Sequence, residues 1–323
     1  MSDQVIVFVA DEKFLQHVMS LAVNCRRQGE FAGDFLLIHP DDLLPVVTFP
    51  KFPPIDLRER GFVTLPVPDR GFLQKFNLFH SFLKRWRQAL FLDADCMVQR
   101  PLSLIWEQLD AAEPLADGRK PILADREEMP CFQSWQVWDP DHQAHGLKIV
   151  RNPDTSLSPI LTEGSIYHRI AQRFPHVVSE RMWNTSMVAW EPASIPDDTV
   201  EQLRALQAEF GECNQPEKGG TDQQIIDLLL HQRIRLMPRK LFVYWGLDCK
   251  PDEHQNSRVA SVGRGWDGTE IPAVIHHARW YAAWNKKTPD ADAYANDRIG
   301  DGVVCYDFYQ QNLADFETVF PKG

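Results

Sequence analysis

Residues 89–95 read Ala89-Leu90-Phe91-Leu92-Asp93-Ala94-Asp95. The apolar residues 89–92 predict a short buried strand, and two acidic residues, Asp93 and Asp95, follow at its exit. On an extended backbone residues i and i+2 project from the same face, so the two carboxylates are expected to converge. Neighbouring carboxylates repel unless a cation lies between them, and hard oxygen ligands suit Mn²⁺ or Mg²⁺. A D-x-D sequence alone is common in solvated turns. Its position directly after an apolar strand is what indicates a cation site here.

The chain around this motif alternates strand and helix patterns. Residues 5–9 and 35–39 are continuous apolar runs typical of strands buried on both faces of a parallel sheet, and residues 62–65 predict a third strand. Apolar residues at helical spacing connect the first two runs between positions 14 and 25. This rhythm predicts an α/β fold with a nucleotide-binding sheet.

The spacing also predicts a helix over residues 73–87 and a strand over 121–124 that ends at Asp125. Residues 126–159, rich in Trp, His and Pro, are interpreted as a long irregular insertion that forms a lid. Trp135 and Trp138 lie there and suit either stacking on an acceptor sugar or packing. Further helices are expected at 166–173, 200–210, 223–231 and 308–320.

Composition limits the classes of function. A chain of 323 residues with 44% hydrophobic residues can bury one large core, so we expect a single domain over 1–323. Within it, 1–125 would form the nucleotide-binding half, 126–159 the insertion, 160–290 the sugar and acceptor half, and 291–323 a helical tail. The net charge of -11 argues against nucleic acid as a partner.

The six cysteines are scattered without a Cys-x-x-Cys pair, which indicates reduced, buried thiols. No charged-then-apolar leader and no apolar run of about 18 residues is present. The sequence therefore predicts a cytoplasmic protein without a transmembrane segment, and leaves peripheral membrane association open.

Five segments in this order resemble GT-A glycosyltransferases of glycosyltransferase family 8, the glycogenin and lipooligosaccharide galactosyltransferase type. They are Phe8 to Asp11 with Phe14, Lys75 to Phe79, Phe91 to Asp95, Trp183 to Ser186 with Gly220 to Gln223, and Val274 to Trp284. The resemblance implies the GT-A fold, a Rossmann-like nucleotide-diphospho-sugar transferase with a mixed, mainly parallel sheet flanked by helices. It also implies a UDP-sugar donor and a Mn²⁺ or Mg²⁺ ion.

For the donor nucleotide, the resemblance places Ala10, Asp11 and the ring of Phe14 at the uracil, although Phe14 equally suits a core position on the first helix. It places Lys75 near the diphosphate, where an ammonium is a good point charge for phosphate oxygens, although a lone lysine is more often a surface residue. Arg279 could replace a lysine that the family has near the C-terminus and that is Ala282 here. Asp93 would contact the donor through the metal.

For the donor sugar, the resemblance places Asp125 at the hydroxyls and Asn184 and Thr185 in a turn beside the ring. The turn's next residue, Ser186, stands where the family has glycine.

Asp222 and Gln223 resemble the family's Asp-Gln pair beside the anomeric carbon, where retaining transfer needs an oxocarbenium-like centre to be stabilised. The alternative is a purely structural role, in which Thr221 or Asp222 only N-caps the following helix.

His276 corresponds to the family's third metal ligand, beside Asp93 and Asp95, with His277 as its rival. The family's ending carries glycine, lysine and proline where this chain has Arg279, Ala282 and Ala283.

The sequence thus predicts transfer of a hexose from a UDP-sugar to an acceptor hydroxyl with retention of configuration. Alternatives are an inverting transferase with Glu127, Glu128 or Asp222 as base, and a non-catalytic carbohydrate- or partner-binding domain with the same fold. A sugar-nucleotide pyrophosphorylase would need a Gly-rich basic loop after the first strand, and Ala10-Asp11-Glu12 is not one.

Overall fold

The computed structural model describes residues 2–49, 52–215, 221–238, 241–244, 273–276 and 299–322. Its strands are β1 (Gln4–Val9), β2 (Asp34–Pro40), β3 (Val46–Phe49), β4 (Phe52–Asp56), β5 (Phe62–Val67), β6 (Gln88–Leu92), β7 (Cys96–Val98), β8 (Ile122–Pro130), β9 (Leu147–Arg151), β10 (Leu157–Leu161), β11 (Arg181–Trp190), β12 (Ile234–Leu236), β13 (Phe242–Tyr244) and β14 (Val274–His276). Its α-helices are α1 (Leu15–Arg27), α2 (Ser103–Ala111), α3 (Cys131–Trp138), α4 (Ile166–Arg173), α5 (His176–Ser179), α6 (Thr199–Phe210), α7 (Asp222–Leu230) and α8 (Ile299–Val319).

The main sheet has the strand order β12-β8-β11-β6-β1-β2-β5. β1 pairs in parallel with β2 and β6, β2 with β5, and β12 with β8, whereas β11 runs antiparallel to β6 and β8. The sheet is therefore mixed and mainly parallel, as the α/β pattern predicts. A second sheet, β13-β14-β7, lies where the chain leaves β6.

β1 is buried on both faces, which explains its continuous apolar sequence. Val5 and Val7 belong to one core cluster, which includes side chains from α6 and α7. Ile6 and Phe8 belong to the other, which includes side chains from α1, α2 and α8. Helices thus cover both faces of the sheet, the arrangement that parallel strands require.

The parallel pairing of β1 with β6 sets the position of the site. Val7 lies opposite Phe91, so both strands run in the same direction and end at the same edge of the sheet. Asp11 and Asp93 follow these strands, and ligands of open α/β sheets bind outside the carboxyl ends of the strands.

The expectation that residues 126–159 are irregular is wrong. β8 continues through Asp125 to Pro130, so Asp125 lies within a strand instead of at its end. α3 and the hairpin of β9 and β10 follow. Trp135 is 1% exposed and packs edge-on against Tyr167, which fixes the segment to the core and excludes Trp135 from stacking on a sugar.

The single helix expected over residues 73–87 is also wrong. The chain forms two 3₁₀ helices, Gly71–Phe79 and Ser81–Arg85, separated by His80 in an extended conformation. Buried Asn77 makes side-chain hydrogen bonds to Asp69 and to the backbone of Gln74, which hold the first of these helices in place. The apolar residues of this stretch therefore belong to two short 3₁₀ helices that pack on the core, and not to one α-helix.

The C-terminal helix is longer than expected, beginning at Ile299, and packs against α1. Among the described residues, no helix is both long and apolar enough to cross a bilayer. Four cysteines, Cys25, Cys96, Cys131 and Cys213, are buried and free, in line with the expected thiols.

Candidate active site

The D-x-D motif lies in a tight turn between β6 and β7. The Cys96 amide donates to the Asp93 carbonyl at 2.9 Å, so the two acids are separated by a turn and not by extended backbone, as the sequence analysis assumed. The turn still brings the carboxylates of Asp93 and Asp95 together. Their convergence is therefore confirmed, although its geometric cause is different.

His276 reaches the same point from the second sheet. β14 pairs antiparallel with β7, with His276 opposite Cys96, the residue after Asp95. The imidazole Nε2 lies 2.8 Å from Asp95 Oδ1, and the side chain is only 6% exposed. His277, its rival in the sequence, lies outside the described residues.

Lys75 forms an ion pair with Asp93, the first acid of the D-x-D motif. Its ammonium is 2.8 Å from Asp93 Oδ1, and its side chain is mostly buried, which excludes the interpretation of a free surface lysine. The ammonium also sits over the ring of Phe91 at 5.2 Å from the centroid. The first 3₁₀ helix, Gly71–Phe79, holds it there.

The charges in this cluster are tightly linked. Burial lowers the pKa of Lys75, but the carboxylates of Asp222 and Asp93 outweigh it and raise the pKa above its usual range. Burial raises the pKa of Asp93, and the like charge of Asp95 adds to it against the opposing effect of Lys75. Burial also acts on Asp95, but His276 lowers its pKa overall. The site concentrates negative charge that cations must balance.

The donor set fits a divalent cation. One ligand atom each from Asp93, Asp95 and His276 lie within 4.8 Å of one another. Two carboxylate oxygens and an imidazole nitrogen are a suitable set for Mn²⁺, and the carboxylates also suit Mg²⁺. These three residues would hold such an ion.

A cleft of about 360 Å³ opens above this cluster. That volume lies in the range of about 300 to 1,000 Å³ usual for small-molecule sites. Its lining includes six of the residues proposed from the sequence, namely Ala10, Asp11, Phe14, Lys75, Asp93 and Asp95. Phe14 is 40% exposed, so it is not the core residue that its helical spacing also allowed.

Three residues of the cleft were missed from the sequence: Gly71, Phe72 and Gln74. Phe72 is 49% exposed, so both it and Phe14 present aromatic rings at the rim of the cleft. Gly71 has φ +57°, a left-handed conformation that favours glycine at the entry to the 3₁₀ helix. Gly71 and Phe72 directly precede the stretch 73–87 that was predicted as one helix, and a glycine followed by an aromatic residue was the available signal.

A second group of proposed residues lies beside the D-x-D turn and is buried. The Asp93 amide donates to the Ser186 carbonyl at 2.8 Å, which ties the turn to β11. The Thr185 hydroxyl donates to Asp222 Oδ2 at 2.8 Å, and the Thr185 amide donates to Gln223 Oε1 at 3.4 Å. Residues 184–186 and 222–223 therefore form one hydrogen-bonded unit, although neither lines the open cleft.

The sequence left open whether Thr221 or Asp222 caps α7, and the structure shows that Thr221 does. Thr221 is the N-cap: the Gln223 amide donates to its hydroxyl oxygen, and Gln224 Oε1 accepts from the Thr221 amide in a capping box. The side chain of Asp222 is thus free of the capping role and accepts from Thr185 instead.

β11 departs from regular pairing at the same place. Asn184 lies opposite Asp125, but Val188 lies opposite Ala124, so the chain bulges at residues 185–187. Asp125 and Asn184, the pair that precedes this irregularity, are both buried. The Ser186 amide donates to Asn184 Oδ1, and Ser186 has no positive φ, so its backbone does not require the glycine that the family has.

Several proposed residues cannot be placed. Arg279, Ala282 and Trp284 lie outside the described residues, as do the side chains of Glu127 and Glu128. Their roles stay predictions.

Comparison with known proteins supports the fold. No protein-family model matches the chain, and no curated protein matches it in sequence. Among solved structures, the chain resembles the galactosyltransferase LgtC in complex with donor and acceptor sugar analogues, with a TM-score of 0.54, 11% identity, and 95% coverage of both chains.

Two larger enzymes are also similar. The bifunctional glycosyltransferase WbbM has a TM-score of 0.53 and 12% identity over 97% of this chain and 50% of its own. The glycosyltransferase GlyE of Streptococcus pneumoniae has a TM-score of 0.52 and 13% identity over 100% of this chain and 66% of its own. The chain thus spans half the length of WbbM and has the GT-A glycosyltransferase fold.

Proposed function

We propose that this chain is a metal-dependent glycosyltransferase that transfers a hexose from a UDP-sugar to an acceptor hydroxyl with retention of configuration. The observation that carries the proposal is the convergence of Asp93, Asp95 and His276. Both of these acids line a cleft, as does Lys75 beside Asp93. In a GT-A fold this is the end of the sheet at which a nucleotide ligand is expected.

The outer part of the cleft suits a nucleoside. Ala10 and Asp11 follow β1, and the exposed ring of Phe14 provides an aromatic face for a base. Phe72 offers a second ring at the rim. We therefore assign the uracil to the region between β1 and Gly71–Phe79.

The inner part suits a diphosphate. Bound to Asp93, Asp95 and His276, a Mn²⁺ or Mg²⁺ ion would supply positive charge against the phosphate oxygens as the nucleotide departs. Lys75 would donate to the same oxygens, because its ammonium is fixed at 2.8 Å from Asp93 and carries its charge throughout the neutral range. Arg279 is the proposed further contact.

The buried unit beside the turn is the proposed sugar site. Asp125, Asn184 and Thr185 carry the polar groups that would bind the sugar hydroxyls, and Asp222 and Gln223 would face the anomeric carbon. An acid or amide there can stabilise an oxocarbenium-like centre, which retaining transfer requires. Thr185 orients the Asp222 carboxylate through their 2.8 Å hydrogen bond.

The test is a donor screen. Hydrolysis of UDP-glucose, UDP-galactose and their N-acetyl forms is measured with and without Mn²⁺, beside an Asp95→Ala variant. We expect metal-dependent turnover of one donor by the intact chain and a loss of at least about 100-fold in the variant, the scale of a removed electrostatic contact in catalysis. Absence of turnover and of UDP binding for every donor would contradict the proposal and favour a non-catalytic binding domain.

The configuration of the product separates the retaining from the inverting reaction. A product with the donor's anomeric configuration supports the role given to Asp222 and Gln223. The opposite anomer would assign to a carboxylate the role of base toward the acceptor.

A further inference from the structure

A second cluster of metal-binding groups lies away from the D-x-D turn. It contains Cys131, the first residue of α3, together with Asp227 on α7 and His231 just after that helix. Their ligand atoms lie within 4.8 Å of one another, and all three residues are buried. The cluster at the D-x-D turn has two carboxylates and an imidazole, whereas this second cluster combines a thiol, one carboxylate and an imidazole.

One of the two separations in the cluster matches those around a zinc ion, and the other is shorter. Cys131 Sγ lies 3.4 Å from Asp227 Oδ2, and His231 Nδ1 lies 3.0 Å from Asp227 Oδ1. A tetrahedral zinc ion with ordinary bond lengths holds its ligand atoms about 3.3 to 3.6 Å apart. The i and i+4 spacing of Asp227 and His231 on one helical turn fixes two of the three ligands with little freedom.

The surroundings of His231 fit a metal ligand. Its other ring nitrogen, Nε2, lies 2.9 Å from Glu180 Oε2. Histidines that bind zinc usually donate the second N–H to a carboxylate or carbonyl, which fixes the ring and its tautomer. Asp227 is held in turn by the Trp183 amide, which donates to Oδ1 at 3.3 Å.

A further nitrogen adjoins the cluster. The ring of His176 stacks on that of His231 with centroids 4.1 Å apart, and His176 Nε2 lies 3.4 Å from Asp227 Oδ2. His176 thus lies beside the cluster, but it is not one of the three residues whose ligand atoms lie within 4.8 Å of one another. Those three residues leave the fourth position of a tetrahedral ion to another ligand.

From this geometry we propose that Cys131, Asp227 and His231 form a buried zinc site. Binding replaces the protons on the Cys131 thiol and on His231 Nδ1, which pass to solvent. A thiolate and a carboxylate then balance the double charge of the ion, and the imidazole of His231 is neutral. The ion would fasten α3, in the segment 126–159, to the helix that begins at Asp222.

Cobalt provides a probe specific for the thiolate, because a sulfur ligand gives Co²⁺ an intense near-ultraviolet charge-transfer band. The metal-stripped full-length chain is titrated with Co²⁺, and separately with Zn²⁺ while thermal unfolding is followed. An Asp95→Ala variant removes the other metal cluster. We expect the sulfur band and a rise in Tm of about 5 °C in both proteins, and one bound zinc per chain in Asp95→Ala.

Cysteine variants locate the site. In the Asp95→Ala background, Cys131→Ser should abolish the sulfur band and the rise in Tm, whereas Cys96→Ser, a matched change at a buried cysteine beside the D-x-D turn, should keep both. Absence of the band in the wild-type chain would overturn the proposal without use of any variant. A band that persists in Cys131→Ser would overturn it as well. Because the readouts are spectra and unfolding, they are independent of transferase activity.

Discussion

Lys75 Nζ lies 2.8 Å from Asp93 Oδ1 and 2.9 Å from Asp93 Oδ2, so one carboxylate of the D-x-D pair is held by an ammonium. The other, that of Asp95, is held at 2.8 Å by His276. Each of the two carboxylates thus has a basic side chain as its partner. Lys75 therefore has two opposed effects: it competes for Asp93, and it attracts the diphosphate.

Replacing Lys75 with methionine separates these effects. Lys75→Met should bind Mn²⁺ alone more tightly, because Asp93 loses its competing cation. It should bind UDP in the presence of Mn²⁺ about 10- to 100-fold more weakly, since a hydrogen bond to a charged group contributes about 1.5 to 3 kcal/mol. Both affinities are measured by calorimetry. Lys75→Arg is the control that keeps the charge, and equal weakening in both variants would show that geometry, not charge, is what matters.

Thr185→Val tests the bond between the bulge and α7. The hydroxyl of Thr185 donates to Asp222 Oδ2, and Asp222 is only 2% exposed. Loss of this donor should lower the free energy of unfolding by about 1 to 3 kcal/mol and reduce kcat more than it changes KM. Urea unfolding and steady-state kinetics measure the two effects. Thr185→Ser keeps the hydroxyl and should lie close to the wild type.

Thr221→Ala tests the helix cap. Thr221 closes the capping box of α7 with Gln224, and its loss should cost about 1 kcal/mol of stability. Urea unfolding provides the value, and Thr221→Ser, which can make the same bonds, is the control. An unchanged stability in the alanine variant would mean that Asp222 takes over the cap and leaves its place beside Thr185.

His17 should make stability depend on pH. Burial lowers its pKa from 6.5 to about 4, against an opposing effect of Asp95, and the ring contacts the Tyr309 hydroxyl at 2.8 Å. Because the folded pKa is depressed, the unfolded chain binds the proton more readily. Stability is therefore complete above pH 6.5 and falls by up to about 3 kcal/mol as the pH drops toward 4.

The control for this effect is His17→Gln, which has no titrating ring. Urea unfolding of the metal-free proteins at about pH 7 and pH 5 gives the comparison. The wild type should lose more stability than the variant over this interval. Equal losses would show that carboxylates elsewhere account for the change.

Much of the fold follows from local pattern. β1, β2 and β6 were predicted because strands buried on both faces must be apolar throughout. α6 and α7 were predicted from helical spacing. The segment 126–159 was predicted to be irregular because its polar and aromatic residues hide three elements: the end of β8, which pairs with the distant β11, the helix α3, and the hairpin of β9 and β10. Residues 73–87 were predicted to form one helix because the apolar spacing of two 3₁₀ helices imitates that of one α-helix.

Only the part of the site that depends on a local sequence pattern could be predicted. Asp93 and Asp95 are only two positions apart in sequence, so their convergence could be inferred locally. The pairing of His276 with Asp95 depends on the register of β14 against β7, which no local pattern encodes. The cluster of Cys131, Asp227 and His231 joins two distant segments and gave no sequence signal of its own.

The most direct test of the central claim is calorimetric titration of UDP into the intact, metal-stripped chain with and without Mn²⁺. Binding should be at least about tenfold tighter with Mn²⁺, and Asp95→Asn should abolish that gain, because one of the three metal-binding groups is lost. Glu107→Gln, a matched change at an exposed residue of α2, should retain it. UDP affinity that is the same with and without Mn²⁺, or a gain that survives in Asp95→Asn, would contradict a metal-bound nucleotide at this turn.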